Sequence, residues 1–219
     1  GGSTHFSNTK NTKITKTATS GPMDWGGSPL QWRLCGRSNR IKPPRAHYDA
    51  VSGKVVLNMD HFCPWVSNTI GYANYRYFLL MLFWTFIGCV YVVSMLTPYV
   101  YVNGIRIPKN MKHSAYLLLM YITTFSFAAV LMMFLLFHAM LISTGQTTID
   151  FWGNMDRRRR ARLHNDPPFR NPFDLGVRRN WEQVFGRVHW SVAVLPSFRE
   201  PPWPPYATKE DGGDVHKRI

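Results

Sequence analysis

Asp60, His61 and Cys63 place a carboxylate, an imidazole and a thiol within the stretch Asp60-His61-Phe62-Cys63-Pro64-Trp65. A thiol is a weak nucleophile until a base takes its proton, and an imidazole works better as that base when a carboxylate fixes its tautomer. The three residues could fill those roles, with Cys63 attacking, His61 accepting the proton and Asp60 orienting it. The same residue types also meet in ordinary loops, so the surroundings must decide. The trio lies a short way before a long apolar run that begins at Tyr77. A reactive thiol beside a bilayer suggests chemistry on a lipid or a lipid thioester.

The elements that must hold this stretch follow from hydropathy. Residues 77–102 carry no charged side chain and include Phe78-Leu79-Leu80-Met81-Leu82-Phe83-Trp84. Residues 114–144 are equally uncharged, with Leu117-Leu118-Leu119-Met120 and Phe134-Leu135-Leu136-Phe137 inside. Each run can cross a hydrocarbon core of about 30 Å as a helix. A buried soluble helix is the competing reading, and two such runs in 219 residues argue against it. Pro98 should kink or end the first span, and His138 should pack between helices. The expected class is therefore a mostly α membrane protein.

Charge gives the orientation. Arg33, Arg37, Arg40, Lys42, Arg45, Lys54 and Arg76 precede the first span, and Arg157, Arg158, Arg159, Arg160 and Arg162 follow the second. The connecting loop holds only Arg106, Lys109 and Lys112. Both ends are then expected in the cytosol and the loop outside it. The net charge of +14 would suit nucleic acid, but its placement around apolar spans suits an anionic leaflet or an anionic cofactor better, with no nucleic acid involved. Cys35, Cys63 and Cys89 are the only cysteines and Cys89 lies in a span, so a disulfide framework is not expected. No apolar run opens the sequence, so no signal peptide is expected either.

The chain divides accordingly. Residues 1–30 read as a flexible tail or linker. Residues 31–75 read as a compact loop and β module, with Pro43-Pro44 excluding a helix and Val55-Val56-Leu57 as a strand candidate. Spans at 76–102 and 114–144 flank a short loop at 103–113. An irregular cytosolic segment at 145–206 follows, then a tail at 207–219. Pro201-Pro202-Trp203-Pro204-Pro205-Tyr206 is polyproline-like and could meet an SH3 or WW-type domain, though packing or disorder is the expectation. A module as small as 31–75 usually needs a metal or disulfide staple.

These residues together resemble the DHHC family of protein S-acyltransferases, or palmitoyltransferases. The resemblance rests on Lys42-Pro43-Pro44-Arg45-Ala46-His47, Asp60 to Trp65, Asn68, Gly71 and Asn74-Tyr75-Arg76-Tyr77-Phe78. Thr147-Thr148-Ile149-Asp150 is similar to the family's TTxE motif with Asp for Glu, and Asn171-Pro172-Phe173-Asp174-Leu175-Gly176 with Asn180-Trp181 and Phe185-Gly186 is similar to its C-terminal segment. The resemblance implies that His61 is the general base, Asp60 orients it, and Cys63 takes the acyl group from acyl-CoA, such as palmitoyl-CoA, as a thioester. The group would then pass to cysteines of cytosolic or membrane protein substrates. It further implies that Thr148 helps position Asp60 and that Asn180 ties the C-terminal segment to the membrane helices. Endomembrane (Golgi or endoplasmic reticulum) or plasma membrane would be the location.

Three departures accompany the resemblance. The family binds two zinc ions at positions that, in register on Cys63, hold Cys35, Ser38, Tyr48, Asp49, Ser52, Val55, Phe62 and Thr69 here. Only Cys35 is a good ligand, so no metal site is expected; a set rebuilt from Cys35, His47 and Asp49 is disfavoured. The membrane face, the C-terminal segment or inward packing of Val55 and Phe62 must replace the staple. The motif reads DHFC, with Phe62 belonging to the zinc loss. The family usually has two more spans before the module; here nothing upstream could span, so the expectation is either a fragment that lacks them or an acyl cavity built from two helices and a partner. The alternative reading is a catalytically inactive membrane scaffold or binding protein. The end of the acyl cavity is placed around Tyr91 or Phe125.

Overall fold

The structure, a computed structural model, describes residues 32–103, 112–199 and 201. The expected tails at 1–30 and 207–219, most of the loop at 103–113 and the proline-rich stretch beyond residue 201 lie outside the described residues.

The polar module consists of three short hairpins. β1 (Arg33–Cys35) pairs with β2 (Arg40–Lys42), β3 (His47–Asp49) with β4 (Lys54–Val56), and β5 (His61–Cys63) with β6 (Asn68–Ile70), all antiparallel and each pair a sheet of its own. The strand expected at Val55-Val56-Leu57 is β4, shifted by one residue. Two-stranded pairs this short are not stable alone, so contacts between hairpins must hold them. Gly71, just after β6, provides one such contact. A Cβ there would come within 2.6 Å of the Val56 side chain and 2.8 Å of the Leu57 carbonyl, and the neighbouring Tyr72 amide donates to that carbonyl at 2.8 Å.

α1 (Tyr75–Asn103) and α2 (Lys112–Ser143) have 29 and 32 residues. At the helical rise they extend roughly 44 and 48 Å, beyond a hydrocarbon core. Only 17% and 28% of their most apolar windows are buried within the molecule. Helices so apolar and so uncovered need lipid rather than water around them. They pack against each other antiparallel, the start of α1 meeting the end of α2 where Phe78 and His138 come within 5.2 Å. Pro98 does not end α1, which continues to Asn103. Proline removes one amide donor, whereas unwinding the helix in lipid would expose several; the Thr97 hydroxyl meanwhile donates to the Val93 carbonyl at 2.8 Å.

The C-terminal segment, expected to be irregular, carries α3 (Thr148–Leu163), α4 (Val177–Phe185) and α5 (Trp190–Ala193) with irregular stretches between them. Residues after α5 run along the base of α1: the Trp84 indole donates to the Val194 carbonyl at 3.0 Å, the Arg76 guanidinium to Ser197, and the Tyr72 hydroxyl to Pro201 at 2.8 Å. The apolar core sits at the meeting point of these parts. Cys63 and Ile70 from the third hairpin, Phe78, Leu79 and Leu82 from α1, and Leu131 and Ile142 from α2 form it, with Trp181 and Phe185 of α4 against its side.

Candidate active site

Alternation along β5 puts His61 and Cys63 on one face and Phe62 on the other. Asp60 enters the strand with its amide bonded to the Ile70 carbonyl at 2.8 Å. Its side chain is 1% exposed. The carboxylate accepts the His61 Nδ1–H at 2.7 Å, the Thr148 amide at 2.7 Å and the Thr148 hydroxyl at 2.9 Å. Burial pushes the Asp60 carboxyl up, but hydrogen bonds from His61 and Thr148 outweigh it and hold the group below its ordinary value. An ionised carboxylate only accepts, so the bond to Asp60 places a His61 proton on Nδ1.

The imidazole is braced on its other side. The Phe78 ring meets His61 edge-on at 5.1 Å and His138 at 5.2 Å, and His138 Nδ1 bonds the Tyr75 hydroxyl at 2.9 Å. His138, 3% exposed, does lie packed between helices, yet its ring centre is only 6.2 Å from that of His61. The isolation of His138 in an apolar span is a signal in the sequence; Tyr75 carries one only through the motif Asn74-Tyr75-Arg76-Tyr77-Phe78. Cys63 is 4% exposed with a free thiol, set among apolar groups of α1 and α2.

Thr148 reaches Asp60 because α3 starts there. Thr147 caps the helix: its hydroxyl accepts the Asp150 amide at 3.1 Å and the Asp150 carboxylate accepts the Thr147 amide at 3.0 Å. This capping box fixes the helix start and points its free amides at the Asp60 charge. Arg45 then pins the cap to the module. Its Nε donates to Asp150 Oδ2 at 2.8 Å, its Nη2 to the Gly145 carbonyl at 3.3 Å, and its guanidinium lies 4.8 Å from the Phe173 ring centre. Gly145, at φ +62°, lets the Phe173 backbone pass close by, since a Cβ would stand 2.6 Å from the Phe173 carbonyl. In the sequence Arg45 shows only as part of a motif and as a topology charge. Asn180, 2% exposed, donates to the Ser143 carbonyl at 3.0 Å and the Asp174 carboxylate at 2.8 Å, and accepts the Leu175 amide at 2.9 Å. Those bonds join α4 to the end of α2.

The positions where a metal would be expected hold a different arrangement. Asp49, 3% exposed, accepts the Val51 amide at 3.2 Å, the Ser52 amide at 2.9 Å and the Thr69 hydroxyl at 2.5 Å. Bonds from Ser52 and Thr69 hold its carboxyl down to about 2 despite burial. Phe62 stands directly across from Thr69. A tetrahedral zinc site needs about four nitrogen or sulfur donors; the eight positions supply one thiol, Cys35, and otherwise the Asp49 carboxylate, the hydroxyls of Ser38, Tyr48, Ser52 and Thr69, and the apolar Val55 and Phe62. Among the described residues no three His, Cys, Asp or Glu side chains cluster as a metal would require, and Cys35, His47 and Asp49 do not. These residues do not fit zinc. Polar ties link the module to itself through Asp49 and to the C-terminal segment through Arg45, while Val55 and Phe62 are half-buried.

His47 carries a pH prediction. Burial lowers its imidazole and Asp150 raises it, while Lys42, Arg33 and Arg45 lower it further, to about 4 from an ordinary 6.5. Below 6.5 the unfolded chain therefore binds a proton that the folded chain refuses. Stability should be flat above that value and fall as pH drops from about 6.5 towards about 4. Thermal unfolding in detergent across that range should show the slope in the native chain and a flatter one in His47→Gln; equal slopes would count against this origin.

Comparison with known proteins adds to the geometry. The family model for DHHC palmitoyltransferases matches residues 29–155. Palmitoyltransferase ZDHHC15 of Xenopus laevis is 34% identical over 168 residues, covering 76% of this chain and 48% of that protein. Probable protein S-acyltransferase 14 of Arabidopsis thaliana is 34% identical over 181 residues, 81% of this chain and 54% of its own length. Palmitoyltransferase ZDHHC20 of Homo sapiens is 31% identical over 171 residues, 76% and 44% respectively. The chain thus spans about half the length of the curated relatives it matches.

Proposed function

We propose, because this chain belongs to the DHHC palmitoyltransferase family, that it moves a long-chain acyl group from acyl-CoA to protein thiols through a thioester on Cys63. The observation that carries this reading is the Asp60 carboxylate, shared between His61 Nδ1 and the start of α3. His61 Nε2 takes the Cys63 proton as the sulfur attacks the thioester carbonyl. The carbon–sulfur bond to CoA breaks, and the CoA thiolate leaves with the proton from His61. In the second half a substrate thiol gives its proton to His61 and attacks the Cys63 thioester; Cys63 departs as thiolate and recovers that proton. Splitting one transfer into two lowers each barrier. The apolar surroundings of Cys63, from Ile70 to Leu131, suit a fatty chain.

The same reading places the module on the cytosolic side of an endomembrane or the plasma membrane, where thiol substrates and acyl-CoA meet it. The excess of arginine and lysine flanking the two spans supports that orientation. Bilayer, acyl-CoA and cysteine-bearing proteins are its partners. The test is to incubate the detergent-solubilised chain and its Cys63→Ser form with labelled palmitoyl-CoA. Label on the native chain alone, released by hydroxylamine, is the expected result. Folded native protein that takes no label would instead support the inactive scaffold.

A further inference from the structure

We propose that Asp49 is a positioning residue that does the work of a structural metal by opposite means, tying the β3–β4 hairpin to the hairpin that carries His61 and Cys63. A metal centre gathers lone-pair donors around a positive charge. Here a negative carboxylate gathers hydrogen-bond donors, two amides from its own hairpin and the Thr69 hydroxyl from β6. Both arrangements cross-link loops that cannot bury enough apolar surface to hold themselves.

The path from Asp49 to the chemistry is short. Thr69 lies 20 residues beyond Asp49, so their bond closes one hairpin onto the next. Thr69 pairs across the ladder with Phe62, which sits between His61 and Cys63. Cross-strand partners share a face and move together, so a shift of Thr69 is passed to β5. Asp49 and Thr69 are both buried, at 3% and 5% exposure, where an ionised carboxylate persists only if its hydrogen bonds are complete. Ser52 contributes to the same carboxylate, so Asp49, Ser52, Thr69 and Phe62 converge from two hairpins.

The test uses the whole detergent-solubilised chain. Thr69→Val keeps the shape and removes the donor; Thr69→Ser keeps the donor. The native chain is expected to hold no stoichiometric zinc and to melt at the same temperature with or without chelator. Thr69→Val should melt lower and acylate Cys63 up to about a hundred-fold more slowly, and Thr69→Ser should restore both. The combined variant Asp49→Cys, Ser52→Cys, Phe62→His, Thr69→Cys should bind one zinc per chain, gain stability with it and lose that gain to chelator. Melting and metal content do not rest on the proposed transferase activity; only the acylation rate does. Zinc in the native chain, a Thr69→Val form matching it, a Thr69→Ser form no better than Val, or a combined variant that takes up no zinc would each overturn the proposal.

Discussion

Exchange of His61 for Gln is expected to slow acylation of Cys63 by about a hundred- to ten-thousand-fold, the usual contribution of a positioned base. Glutamine can still donate to Asp60, which receives the His61 ring at 2.7 Å and is also held by Thr148. The fold around the site should therefore survive while the proton acceptor is gone. The deficit should shrink as pH rises, because hydroxide then removes the thiol proton without help. Single-turnover labelling with palmitoyl-CoA across pH measures both effects. A variant that acylates at the native rate would mean that another group activates Cys63.

The second large effect concerns a residue that never approaches the thiol. Arg45→Met is expected to destabilise the chain by about 3–5 kcal/mol, the cost of stranding one half of a buried ion pair. The two side chains are only 7% and 14% exposed. Asp150 would keep its bond to the Thr147 amide but lose its cation. The start of α3 would then loosen, and with it the two bonds from Thr148 to Asp60. Acylation should fall alongside the melting temperature. Arg45→Lys should recover only part of the loss, because an ammonium cannot span Asp150 and the Gly145 carbonyl as the guanidinium fork does. Adding Asp150→Leu to Arg45→Met should cost less than the two single effects summed. Additive losses would show that the pair is not coupled.

The parts of this molecule legible in sequence are those encoded by neighbours. The two spans are visible because apolar character persists over their whole length, and the Asp60, His61, Cys63 trio because its members are adjacent. Three-residue strands are too short for alternation to register, and among those in the described residues only β4 is legible, at Val55 and Val56. Thr147 and Asp150 do form a helix-start signal, threonine followed three residues on by an acid. The same residues also match a family motif, which says nothing of the helix that α3 forms. Other features depend on chain separation that no local pattern carries: Arg45 lies 105 residues from Asp150, and Tyr75 lies 63 from His138. The Asp49 cluster was hidden differently. Against the family's pattern its residues are missing ligands, whereas by their own chemistry a carboxylate near Ser and Thr is a ready hydrogen-bond centre.

The bond between Thr148 and Asp60 sets an order of events during biosynthesis. The two residues are 88 positions apart, and both membrane helices lie between them. On the ribosome Asp60, His61 and Cys63 emerge long before α3 exists. The trio becomes a finished site only after α2 has been laid into the bilayer and the chain has returned to the side it left. A nascent or wrongly inserted polypeptide thus carries Asp60 without the two bonds from Thr148. Correct insertion is what completes the hydrogen bonding of Asp60.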